Sequence, residues 1–444
     1  MTKRSDSKPS TVPFSATPVG EPPSVQEWAN RSVWTDRMLD ALVKGVRGSK
    51  WHTLHDKVYN RRNLFESSMK VLGNEGGAGV DHQTVEDFQE YLAGEIDELV
   101  EDLRTGKYQP HSVKRVWIPK PGSTEKRPLG IPTVRDRVVQ TSLLNVLEPI
   151  FDITFAEQSY GFRKGRGCHL ALERVEELLN AGYTYVVDVD LKGYFDTIPK
   201  NRLLDRVGER VSDRGILGLV KKFLDQGVME GLSEFTPETG TPQGAVISPL
   251  LANIYLNPLD HLMSEAGFEM IRYADDFVVL CRSSEEAVGA LAKVQQWVEE
   301  NGLLLHPTKT KVVDAQTEGF DFLGYIFRGR LRLPRKKSLE KMKDTVRSRT
   351  KRTNGNSLPC IVEALSRTLK GWFGYFQHCQ GNVFRDMDGW IRMRLRSILR
   401  KRAGREGRGR GADHQRWPNA YFADCGLYSL EAAHKRLNQS LTGP

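Results

Sequence analysis

Two adjacent carboxylates set between two apolar runs constrain this chain more than any other feature. Residues 269–273 and 277–281 read as the strands of a hairpin, with Ala274-Asp275-Asp276 at its tip. Aspartate is an ordinary turn residue, but like charges side by side repel, and such a pair commonly serves to hold a cation. A third carboxylate strengthens the cation reading. Residues 183–190 form an apolar strand that ends in acid, and the strand period puts Asp188 and Asp190 on one face. Hard divalent ions such as Mg2+ take oxygen ligands, one or two carboxylates plus substrate phosphates. A strand-end carboxylate facing a pair on a neighbouring hairpin is the layout of a two-metal phosphoryl-transfer site. There one ion lowers the pKa of an attacking 3′-hydroxyl and the other stabilises the leaving pyrophosphate.

The 444 residues exceed one ordinary core and predict two or three domains. No stretch approaches the ~18–20 continuous apolar residues of a membrane span. Residues 1–25 are rich in Ser, Thr and Pro without the apolar core of a secretory signal, and read as a flexible tail. Five scattered cysteines form no CxxC pair, so neither a zinc knuckle nor a disulfide framework is expected. Charge is placed unevenly. Residues 331–410 hold 22 Lys and Arg against 6 Asp and Glu, whereas residues 1–330 carry a net −7. A basic block on a slightly acidic body points to a polyanion gripped by one part of the molecule. A merely solvated face would mix both signs.

Helical periodicity covers residues 25–72 and, after a glycine-rich break at 73–79, residues 84–103. Residues 112–119 read as a strand, 120–132 as a basic, turn-rich segment and 136–151 as a helix. After the strand at 183–190 a long helical stretch runs to about Gly231, followed by a Gly/Pro turn at 240–244. Ser248 is placed to cap a helix over 249–265, with Pro249 in its first turn. A helix over 285–301 and a short strand pair, 311–313 with 320–327, close the body. Beyond Leu331 strand signals stop, and 338–351, 358–376 and 387–402 read as basic helices. Helices alternating with antiparallel strands predict an α+β class.

Five motifs follow in order: Asp190 with Phe195; Gly240-Thr-Pro-Gln243-Gly244; Tyr273-Ala-Asp275-Asp276; Leu305-His-Pro-Thr-Lys309-Thr; and Phe320-Asp-Phe-Leu-Gly-Tyr325. Together they resemble reverse transcriptase. Arg127-Pro-Leu-Gly-Ile-Pro-Thr-Val-Arg-Asp-Arg-Val-Val-Gln140 and Ser159-Tyr-Gly-Phe-Arg-Lys-Gly-Arg-Gly-Cys168 narrow the resemblance. With Leu369-Lys-Gly-Trp-Phe-Gly-Tyr375 and Trp390-Ile-Arg-Met-Arg-Leu-Arg396, they are similar to the bacterial group II intron-encoded reverse transcriptase/maturase family over roughly residues 28–440.

The resemblance implies a right-hand polymerase. Residues 1–25 are then a tail, 26–110 an N-terminal helical extension and the start of the fingers, 111–330 fingers and palm around a short antiparallel sheet, and 331–444 an all-helical thumb/maturase region. It implies RNA-directed DNA synthesis with two Mg2+ ions, Mn2+ being a substitute. Asp190, Asp275 and Asp276 match the metal-binding carboxylates, while Asp188 and Asp196 are secondary. Phe195 matches the ring stacked under the incoming sugar, whose bulk excludes a 2′-hydroxyl. Gln243 matches a contact to nucleotide and template, and Lys120 and Arg127 the cations set against the triphosphate, with Lys126 an alternative. Lys309 matches a late-palm lysine proposed as general acid for pyrophosphate.

In residues 387–402, Ile391, Leu395, Ile398 and Leu399 follow helical spacing. Arg392, Arg394, Arg396, Arg400, Lys401 and Arg402 are then expected on exposed sides, binding RNA phosphates. Trp372, Phe373, Tyr375 and Phe376 either stack on bases or pack helices together. The Gly/Arg run at 404–410 reads as a phosphate-binding loop or a plain linker. The partners implied are intron RNA, an RNA template, a DNA primer and dNTPs, with no membrane. Cys425 stands alone where many members carry a Cys/His endonuclease, so no endonuclease domain is expected. The bacterial cytosol or nucleoid is the expected location. Two other readings share these residues: a host-domesticated enzyme in phage defence or DNA repair, and an RNA-binding splicing factor without polymerase activity. Intact Asp190, Asp275, Asp276 and Gln243 argue against the last.

Overall fold

The computed structural model describes residues 22–46, 49–119, 126–405 and 411–441. By internal contact the chain divides into two units, Met1–Val313 and Asp314–Pro444. No helix among the described residues is long and apolar enough to cross a membrane.

The first unit contributes β1 (Val113–Pro119), β2 (Lys126–Ile131), β3 (Tyr185–Asp190), β4 (Val228–Glu230), β5 (Ser233–Phe235), β6 (Glu269–Tyr273), β7 (Asp276–Cys281) and β8 (Lys311–Asp314). Its central sheet has the order β6-β7-β3-β8. Valine supplies the middle of both inner strands, and every residue from Phe277 to Cys281 is buried, as a strand covered on both faces requires. Helices Cys168–Asn180, Ser248–Glu265 and Ser284–Glu300 supply the cover. The second sheet has the order β2-β1-β4-β5, in which β1 and β4 run parallel and the other pairs antiparallel.

Several sequence expectations are corrected here. The helical stretch over 25–72 breaks into Val25–Trp28, Asp36–Lys44, His55–Val58 and Arg61–Gly73. Thr35 accepts the amide of Met38, and Asn60 those of Arg62 and Asn63, so polar side chains restart the helix where periodicity alone ran on. Part of the turn-rich segment is a strand: β2 carries Pro128 opposite Trp117. A proline is tolerated there because β2 lies at the sheet edge. The long helical stretch before Gly231 is three helices, Tyr194–Thr197, Lys200–Gly208 and Arg214–Leu224, then the start of the β4–β5 hairpin. Ser248 is the first helical residue rather than the cap; its hydroxyl instead meets Thr241 Oγ at 2.6 Å and donates to the Pro242 carbonyl.

In the second unit β9 (Phe320–Phe322), β10 (Tyr325–Arg328) and β11 (Leu331–Pro334) form a three-stranded antiparallel sheet. Strand structure therefore continues past Leu331, and the C-terminal part is not all-helical. Residues 311–313 pair with β3 rather than with 320–327. Helices Lys336–Arg349, Leu358–Phe376, Gly381–Arg402 and Leu430–Leu441 follow. The aromatic run packs these elements together: Phe373 and Trp372 meet Phe384 edge-on, and the Tyr375 hydroxyl donates to the Leu323 carbonyl at 2.8 Å.

Trp34 ties the N-terminal helices to the helix Val134–Asp152. It is wholly buried, stands edge-on to Trp51, and donates its indole N–H to the Asn145 carbonyl at 3.0 Å. Trp34→Ala is expected to lower the unfolding free energy of this unit by about 3–5 kcal/mol, read by urea denaturation. A loss under about 1 kcal/mol would show that the site collapses without cost.

Candidate active site

The pairing of β3 with β7 sets Asp190 directly opposite Asp276, and Asp188 opposite Val278. Tyr273 faces Asp276 from β6. Asp275 lies between, in the turn, following Ala274 in the left-handed region at φ 61°. Three carboxylates from segments some 85 residues apart thus reach one end of the central sheet. Burial pushes the Asp275 carboxyl above its ordinary range and Asp190 adds to the shift, while Arg127 opposes it. Arg127, on the edge strand β2, is therefore within electrostatic reach of Asp275.

The motif around Lys309 closes the same end. His306 donates its amide to the Asp190 carbonyl at 2.8 Å, and the Asp190 amide donates to Thr310 Oγ at 3.3 Å. This brings Lys309 Nζ within 3.1 Å of Asp190 Oδ2, in a solvent-accessible ion pair. Oxygen donors of this kind, at a strand end, suit a hard divalent ion. Among the described residues no three Asp, Glu, His or Cys side chains stand gathered as a ready ligand set.

Phe195 is half-buried in the helical turn Tyr194–Thr197, edge-on to Tyr194. The turn containing Gln243 docks on it: Thr241 donates its amide to the Phe195 carbonyl at 2.7 Å, and Gly240 to that of Ile198 at 2.8 Å. Gly240 has φ +90°, and a Cβ there would stand 2.7 Å from the Phe195 oxygen, so only glycine permits the approach. The Gln243 carbonyl accepts the amide of Gly130 on β2 at 2.6 Å, which links this turn to the sheet that carries Arg127. Gln243 and Asp196 also line a cavity of about 320 Å3 with Arg115, Trp117, Lys200 and Gln226. None of Asp190, Asp275 and Asp276 lines it. Lys120 lies outside the described residues, as does most of the Gly/Arg run.

The helix Gly381–Arg402 departs from expectation. Arg396 is 2% exposed, donating to the Trp417 carbonyl at 2.9 Å and to Asn419 Oδ1 at 2.7 Å, with Phe422 under its guanidinium. Arg394 donates to Thr350, Arg400 pairs with Asp413 at 2.5 Å, and Arg392 lies 3.8 Å from Asp388. Arg402 donates to the Asn354 and Asn356 carbonyls while staying exposed, as does Lys401. The amphipathic pattern placed all six cations outward. Guanidinium forks instead reach backbone carbonyls across the unit, because Arg keeps its charge and offers five donors when buried. Exposed cations here include Lys336, Lys337, Lys341, Arg349 and Lys351. Arg272, buried in β6, escaped the sequence reading although a charge within Met270-Ile-Arg-Tyr273 was its signal.

A family model for reverse transcriptase (RNA-dependent DNA polymerase) matches residues 118–327, and one for the group II intron, maturase-specific domain matches residues 339–417. Protein YkfC of Escherichia coli K12 is 35% identical over 317 residues, covering 62% of this chain and 81% of that protein. The group II intron-encoded protein LtrA of Lactococcus lactis subsp. cremoris is 37% identical over 210 residues, 47% of this chain and 34% of LtrA. Among solved structures, telomerase from Candida albicans with a fragment of telomeric RNA matches at 13% identity and a TM-score of 0.41, over 71% of this chain and 64% of that one. The chain belongs to the group II intron-encoded reverse transcriptase/maturase family. It joins an RNA-directed DNA polymerase region to a maturase-specific region.

Inward and outward cations of that second region separate by experiment. Arg396→Ala is expected to cost about 1–3 kcal/mol, because the buried Trp417 carbonyl loses its donor, whereas Lys401→Ala stays within about 0.5 kcal/mol. Chemical denaturation measures both, and the reverse ranking would return Arg396 to the surface.

Proposed function

We propose that DNA synthesis proceeds at the sheet end that carries Asp190, Asp275 and Asp276, and that the basic second unit grips intron RNA. The observation that carries the reading is the β3–β7 register, which opposes Asp190 and Asp276 beside the turn that holds Asp275. These three residues would hold two divalent ions, Mg2+ or, as a substitute, Mn2+. When bound, the ions supply activation of the primer 3′-hydroxyl and charge neutralisation on the departing pyrophosphate.

The remaining steps fall to the chain's own groups. Arg127 would set positive charge against the triphosphate, with Lys120 or Lys126 beside it. Lys309, released from Asp190, would donate a proton to pyrophosphate. The ring of Phe195 would lie under the sugar and exclude a 2′-hydroxyl, selecting dNTPs, while Gln243 would meet the nucleotide and its template base. In this reading the two sheets of the first unit form palm and fingers and the C-terminal helices a thumb. RNA phosphates would meet Lys336, Lys337, Lys341, Arg349, Lys351 and Lys401, and release counterions as they bind.

Primer extension on an RNA template with dNTPs and Mg2+ tests the reading. Wild-type protein extends the primer, and Asp275→Ala/Asp276→Ala abolishes extension while keeping RNA binding. No extension by folded wild-type protein would favour a splicing factor. Phe195→Ala should raise relative rNTP incorporation by roughly 10- to 100-fold in kcat/KM; an unchanged ratio would remove Phe195 from sugar selection.

A further inference from the structure

Arg272 is a charge inside an otherwise apolar strand, and it is wholly buried. Its guanidinium has five N–H donors, and five hydrogen bonds take them up. Nε donates to Asp260 Oδ1 at 2.7 Å and Nη2 to Asp260 Oδ2 at 2.5 Å. Nη2 also donates to Ser159 Oγ at 2.8 Å, and Nη1 to Asn253 Oδ1 at 2.8 Å. The fifth bond runs from Nη1 to the Ala274 carbonyl at 2.9 Å. That carbonyl belongs to the residue immediately before Asp275, held in a left-handed conformation that alanine rarely adopts.

The same turn is confined from its other side. Arg272 donates its amide to the Gln158 carbonyl at 2.9 Å and accepts that of Tyr160 at 2.8 Å, so residues 158–160 run along β6. Asn253 Nδ2 holds the Gly161 carbonyl at 2.8 Å. A Cβ on Gly161 would stand 2.4 Å from the Ala274 nitrogen. Both Asn253 and Asp260 project from the helix Ser248–Glu265, two turns apart on one face. A buried ion pair is weak evidence for stability, since an apolar pair of similar volume often serves as well. What hydrocarbon cannot supply is a donor to the Ala274 carbonyl.

We propose that Arg272 is a positioning residue for the polymerase. Oriented by Asp260, Asn253 and Ser159, it fixes the left-handed turn at Ala274 and so presents Asp275 and Asp276 toward Asp190. The inference rests on the polymerase reading above.

The test compares wild type with Arg272→Met/Asp260→Leu, which exchanges the buried pair for hydrocarbon, and with Gly161→Ala, which pushes on Ala274 without touching a charge. Melting, template–primer affinity, kcat, KM for dNTP and the Mg2+ concentration at half-maximal rate are measured for each. In a folded variant kcat falls roughly 100-fold, the loss that a misplacement of about 1 Å brings, and half-saturating Mg2+ rises. Template–primer affinity and KM for dNTP stay near wild type. Wild-type kcat and Mg2+ dependence in either folded variant would overturn the proposal. If the double variant fails to fold, Gly161→Ala decides, and failure of both to fold would make the network a stability element and overturn it too. An inactive wild type would instead sink the polymerase reading itself.

Discussion

The register of β3 against β7 is the constraint on which this site depends. Side chains alternate along a strand, so a slip of one residue would send every one of them to the opposite face. Asp190 would then lose Asp276 as its partner, and Val187 and Val189 would change faces with Asp188 and Asp190. Burial of the apolar positions therefore does two tasks. It stabilises the sheet, and it holds the register that sets Asp190 opposite Asp276. The cost is desolvation of the Asp275 carboxyl and, in smaller part, repulsion from Asp190, which together hold it above the ordinary carboxylate range. Lys309 offsets part of it by lying against Asp190.

Around that sheet end, irregular segments are tied to the regular elements by hydrogen bonds. The Gly240–Gln243 turn ties to Phe195 on one side and to Gly130 on the other. Residues 304–310 tie to the end of β3 through Lys192, Asp190 and Leu191. The segments that carry Gln243 and Lys309 thus hang from regular elements by hydrogen bonds, which suits a site that must be both accessible and well placed.

In the second unit positive charge serves two ends. Arginines of the helix Gly381–Arg402 satisfy carbonyls and carboxylates within the unit, while lysines and arginines of Lys336–Arg349 stay in water. Lysine heads are strongly hydrated points of charge, and guanidinium forks tolerate desolvation. Both kinds contribute to the same net charge, so composition reported a polyanion-binding block without saying which cations could bind.

Local chemistry was legible in the sequence. The hairpin around Asp275 and Asp276, the strand ending at Asp190 and the order of motifs through Lys309 all rest on residue types and on a period of two, which neighbours in the chain reveal. The helix restarts at Thr35 and Asn60 rest on local caps that apolar periodicity does not register, whereas the strand character of Lys126–Ile131 and the inward turn of Arg396 depend on partners elsewhere. Arg272 shows the limit most clearly. Its presence in an apolar strand is written in the sequence, but its side-chain partners stand 12, 19 and 113 residues away. The chain by itself determined where the carboxylates and cations stand along its elements, because residue type and spacing are covalent properties. Only the tertiary structure decided which cations turn inward and what holds the turn before Asp275, because a buried donor must find its acceptors in space.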